Sequence, residues 1–125
     1  MQMLTTTVAR FMFAIPFAVF GLMHLMNAEA MSGMVPSYLP GTIMVYLTGL
    51  ALIAAAVSII IKKMASLATL LLGAMLVLFV LLLHLPGVMS GDEATMQASM
   101  PNLLKDFALA GAAWTFSGIF REDGA

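Results

Sequence analysis

Residues Ala65 to Leu85 read ASLATLLLGAMLVLFVLLLHL, and Pro86-Gly87 follows. Between Thr69 and His84 nothing in this run is more polar than glycine. As a helix it matches the roughly 20 apolar residues that cross a bilayer core. The rest of the chain has the same character: of 125 residues, 62% are hydrophobic and only 9% are charged. A soluble domain carries about 25% charged residues. So few charges cannot cover a globule in water, and the composition specifies a membrane protein.

Working outward, Thr42 to Ile61 is a second apolar helix, TIMVYLTGLALIAAAVSIII, ended by Lys62-Lys63. The few residues between these two runs require a tight antiparallel hairpin. Upstream, Val8 to Met26 is a third run, with Arg10 placed to snorkel and Pro16 inside it, where a kink is expected. Ala28-Glu29-Ala30 has the small-x-small look of a leader-cleavage site. Downstream, Pro86-Gly87 stops the hydrophobic helix, and a polar loop runs from Val88 to Pro101. Asn102 then caps a last helix from Leu103 to Phe120. The expected fold is one all-α membrane domain: four transmembrane helices, residues 8–26, 42–61, 65–85 and 103–120, in an antiparallel bundle. Arg10, Lys62, Lys63 and Arg121 fall on one side and only Lys105 on the other, so both termini are expected in the cytoplasm.

Composition also excludes some chemistry. There is no cysteine, hence no disulfide, thiolate nucleophile or thiolate metal site. Five scattered Lys and Arg make no nucleic-acid footprint. The thirteen Met read as flexible apolar filler. No nucleotide fingerprint or Ser-His-Asp pattern occurs.

Polar side chains at one depth carry what remains. His24 ends the first helix and His84 the third; Tyr46 lies one turn into the second; Lys105 and Asp106 fall in the first turn of the fourth. Ionisable groups in membrane helices are costly, and are usually paired or functional. Asn27, Glu29 and Tyr38 lie in the first loop, whose Val35-Pro36-Ser37-Tyr38-Leu39-Pro40-Gly41 is expected to fold over the bundle mouth as a lid. Each residue also has a plain reading. A lone His or Tyr can be an interface anchor. Lys105-Asp106 can be a wet helix start favoured by the dipole, and Glu29 can be solvated. Taken together, they can hold a quinone head group, the imidazoles donating hydrogen bonds or protons to a carbonyl, while the bundle takes an isoprenoid tail. No HxxxH or HxxE pair organises a metal site on one helix.

A Gly-x-x-His ending the first helix, then MVPSYLPG and YLTGLALIAAAVSIIIKK, resembles the DoxX-like membrane proteins of bacteria. LLLHLPGVM and NLLKDFALAGAAW extend the resemblance, from about Arg10 to Phe120. One departure is Ala51, where that family's second helix often carries Glu. The resemblance implies a four-helix bundle in the bacterial cytoplasmic membrane. It also implies a role as subunit of a quinone-linked oxidoreductase, with a partner redox subunit or a homo-oligomer. The alternative is a structural, assembly or lipid-binding module, in which these polar residues only join helices.

Overall fold

The structure is a computed structural model that describes residues 2–34 and 40–125. The described residues are helical, with no strand among them. Four long helices dominate: α1 (Leu4–Met26), α2 (Gly41–Ile61), α3 (Ala65–Val88) and α4 (Glu93–Glu122). Short turns at Ala28–Met31 and Ser32–Met34 follow α1.

Among the described residues, α1, α2 and α3 are long and apolar enough to cross a membrane. α4 is not one of these candidates, because Lys105 and Asp106 interrupt its apolar half and its first turns are polar. It nevertheless lies along α3 in the bundle. Its outward residues Leu104, Phe107, Trp114 and Ile119 are as exposed and apolar as those of the other helices. Large hydrophobic side chains on the outside and small ones inside suit a lipid solvent.

Two antiparallel helix pairs build the bundle. α1 and α2 approach until their backbones nearly touch: a Cβ on Gly21 would stand 2.7 Å from the Gly49 carbonyl oxygen. A Cβ on Gly49 would stand 2.9 Å from the Gly21 carbonyl oxygen and 2.9 Å from the His24 Cβ. Further along, the Arg10 guanidinium donates to the free carbonyls of Ile59 and Ile60 at the α2 C-terminus. In the other pair, Ser66 Oγ donates to the Ser117 carbonyl (3.1 Å) and Ser117 Oγ donates back to the Ser66 carbonyl (2.8 Å). Gly73 leaves room for the Trp114 indole, which donates to the Leu70 carbonyl at 3.1 Å. Gly87 likewise seats Ser99. The pairs meet through an aromatic run: Phe13 stacks on Phe116 at 4.7 Å between ring centres, and Phe116 on Phe120 at 5.7 Å.

The expected tight hairpin between α2 and α3 is a three-residue turn in which Lys62 and Met64 both adopt left-handed backbone (φ 58° and 54°). Helix boundaries differ from expectation beyond α3. Pro86 does not stop that helix, which runs to Val88. A π-helical turn over Val80–His84 precedes the proline, with the Leu85 N–H donating to the Val80 carbonyl. This wider turn departs from the regular ladder just where the proline ring would meet a carbonyl. The loop expected to extend to Pro101 ends at Asp92, and the last helix starts ten residues earlier than the expected Leu103. Asp92 is the true cap: its carboxylate accepts from the Thr95 N–H (3.2 Å) and the Thr95 hydroxyl (2.6 Å). Pro101 sits inside the helix, and Asn102 donates to the Ala98 carbonyl instead of capping. A 30-residue helix is about 45 Å long, well beyond a hydrocarbon core of about 30 Å. Its first residues, 93–98, are exposed.

Two outcomes follow. A left-handed non-glycine residue costs about 1 kcal/mol, so Met64→Gly is expected to raise the melting temperature in detergent, and Met64→Val to lower it. The bonds from Thr95, its hydroxyl foremost, hold the Asp92 carboxyl below the ordinary aspartate range. Its folded pKa lies below its unfolded one. The cap therefore acts fully above the ordinary aspartate value and is lost as pH falls through the folded one. Amide-exchange protection at Thr95 and Met96, corrected for intrinsic rates, is expected to drop in that acidic window while protection at Ala110 persists.

Candidate functional site

Between the two helix pairs lies a cavity of about 460 Å³, lined by all four long helices. Most of its wall is apolar: Phe17 and Phe20 of α1, Val45 and Leu52 of α2, and Leu76 and Phe79 of α3 contribute to it. One end is polar, and His24, His84, Lys105 and Asp106 gather there. Each arrives for a local reason. The close Gly21–Gly49 crossing brings His24 against α2. The π-helical turn ends at His84, shifting that ring relative to a regular helix. Asp106 shares the inward stripe of Ala110, Ala113 and Ser117, all buried.

Asp106 is the hub. Its Oδ2 accepts a hydrogen bond from His84 Nε2 at 2.7 Å, with both side chains buried. Its Oδ1 faces Lys105 Nζ at 3.7 Å. Lys105 is 47% exposed and also lies over the Phe20 ring, 5.1 Å from its centre. α1, α3 and α4 are thus tied at one level. The sequence reading placed Asp106 in the first turn of its helix. With α4 starting at Glu93, it instead lies 13 residues in, about 20 Å along the axis. The dipole of a helix start does not reach that far, so Asp106 is balanced by its side-chain partners.

Both imidazoles have their protons assigned by their surroundings. His24 Nδ1 lies 2.6 Å from the Phe20 carbonyl oxygen, which only accepts, so Nδ1 carries the hydrogen. A carboxylate also only accepts, so His84 carries its hydrogen on Nε2. The protein's own bonds leave His24 Nε2 and His84 Nδ1 unused.

The other expected residues stand apart. Tyr46 is exposed on α2 and does not line the cavity. Asn27 donates to the Met23 carbonyl at 3.1 Å as a helix-end bond. Glu29 is exposed on the short helical turn. Tyr38 and the expected lid, residues 35–39, lie outside the described residues. Sequence reasoning missed Thr48 and Asn102 in the cavity wall. Asn102 was legible, because it stands three and four residues before Lys105 and Asp106 on the same helix face. Among the described residues no group of three His, Asp or Glu side chains could hold a metal ion.

The family described as "Domain of unknown function (DUF8561)" matches residues 13–102. The chain belongs to that family. The matched span takes in His24 and His84 and stops before Lys105 and Asp106. No curated protein and no solved structure matches the chain.

A double-mutant cycle on His84→Ala and Asp106→Ala measures the hub. Contacting residues in one network couple by about 0.5–3 kcal/mol. The buried 2.7 Å bond is expected to fall in the upper half of that range, measured by unfolding in mixed micelles.

Proposed function

We propose that this chain is a membrane-embedded binding protein for an amphipathic molecule of the quinone class. The observation that carries the proposal is the cavity of about 460 Å³ with one charged end. Small-molecule sites are concave, mostly apolar and 300–1,000 Å³, with a few polar groups that fix orientation. Here the head group would sit at His24, His84, Lys105 and Asp106. The Lys105 ammonium would face one oxygen, and the tail would run along Leu52, Leu76 and Phe79 toward lipid. Proton exchange with the head group would go through the imidazoles, backed by Asp106.

In this reading all four long helices span the bilayer. α4 crosses with its charged pair shielded by α1 and α3, both termini are cytoplasmic, and the membrane is the bacterial cytoplasmic membrane. The DoxX-like resemblance of the sequence supports a place beside a partner redox subunit, because this chain carries no cysteine and no redox-cofactor motif of its own. A second reading is favoured by one observation: the His84–Asp106 bond is satisfied without any ligand. The hub would then be a joint between α3 and α4, and the cavity would hold only lipid acyl chain.

The protein purified in mild detergent and extracted with organic solvent separates the two. Mass spectrometry is expected to find a quinone-class molecule in near-stoichiometric amount. Lys105→Ala with His84→Ala is expected to lower that amount at least roughly tenfold, since polar groups that orient a buried ligand are each worth about 1 kcal/mol or more. Unchanged retention in a variant that still melts cooperatively would favour the joint.

A further inference from the structure

The apolar end of the cavity borders a second space. Met75 of α3 lines the cavity there, about 14 Å along the helix axis from His84. Met75 also lines a groove of about 380 Å³ between α2 and α3. We infer that Met75 and this groove form a tail subsite. The site would then take a quinone-class molecule with a long chain, and Met75 would control whether that chain can pass. The inference rests on the function proposed above and sharpens it.

The packing favours this direction over the others. On the α1–α4 side, Phe17 meets Phe13 edge-on at 5.0 Å between ring centres, and Phe13 stacks on Phe116. In the middle of the bundle Ala56, Ile59 and Ala113 are fully buried. On the α2–α3 side the groove is walled by Ala51, Ala54, Ala55 and Ser58 of α2 and by Leu67 and Leu71 of α3. The small side chains of α2 make the space, and the leucines of α3 give it a rim. Met75 is only half-buried at the junction. Its unbranched, flexible side chain can change rotamer as a chain passes.

Length supplies the second part of the argument. The groove reaches Met64, in the short turn that joins α2 to α3. From His84 back to Met64 is about 30 Å along the axis, the thickness of a hydrocarbon core. The cavity takes up about 14 Å of that path, room for a head group and a short tail. A longer tail has to leave the cavity, and the groove continues in the direction away from the polar end. A chain gains little by leaving lipid, because lipid tails are as apolar as the groove. Tail selection is therefore steric: a filled groove rejects a long chain as an overpacked core rejects an extra methylene.

Two benzoquinones test this on the protein purified in mild detergent, one with a single isoprenoid unit and one with four. Met75→Trp narrows the junction, and Ala54→Phe fills the groove without touching the cavity wall. Each variant is expected to lower the ratio of long-tail to short-tail affinity at least about tenfold. Short-tail binding shows that the variant is folded. A photoreactive diazirine at the end of the long tail reads the route in wild type. Its label is expected between Ala51 and Ser58 of α2 or between Met64 and Leu71 of α3. A label on α1 or α4, or an unchanged affinity ratio in both variants, overturns this inference and leaves quinone-class binding standing. A groove label that excess phospholipid displaces as readily as unlabelled long-tail quinone makes the groove a lipid site and also overturns it. Binding of neither quinone by wild type overturns the function and this inference together.

Discussion

A carboxylate buried among four apolar helices must be answered by nearby polar groups, and Asp106 is answered by His84 and Lys105. That requirement constrains the upper half of the bundle. Taking an ion out of water costs several kcal/mol even after the protein relaxes. The cost is offset only where hydrogen bonds and a counter-charge are held in good geometry. α3 supplies the hydrogen bond and α4 the counter-charge, and the Phe20 ring of α1 adds its face to the ammonium.

The same end of the molecule holds the cavity of about 460 Å³. Where the pairs meet toward Phe120, the Phe13–Phe116–Phe120 stack and the reciprocal Ser66–Ser117 bonds close the interior. Toward His24 and His84 the pairs leave a cavity. The close crossings at Gly21–Gly49 and Gly73–Trp114 lie within each pair and not between them. The Phe13–Phe116 stack joins the two pairs at one end, and the cavity lies between them toward the other. The polar hub lines that cavity.

Much of the helical skeleton could be read from the chain. Apolar runs that suit a bilayer leave few alternatives to helix, since every backbone polar group must be paired within its own segment. The Lys62–Met64 turn was legible because nothing longer fits between two such runs. The start of α4 was misread because Pro101 looked like a boundary. Proline is disfavoured in a helix interior, but a neighbouring helix and a strong upstream cap at Asp92 carry the helix through it. Tyr46 was expected at the depth of the hub but is exposed and off the cavity, because level along an axis does not fix the angle around it.

Sequence alone determined the solvent, the helical class and the residue types available for chemistry: a chain only 9% charged and without cysteine admits few others. Two histidines and a Lys-Asp pair at comparable depth were visible in the same way. Only the tertiary structure decided which of them meet. It also decided which nitrogen of each imidazole keeps its hydrogen, because that depends on whether a carbonyl or a carboxylate lies beside it. Those neighbours come from the winding of α1 and from the packing of α4 on α3. Which ring nitrogens the protein itself occupies is therefore a property of the assembled bundle.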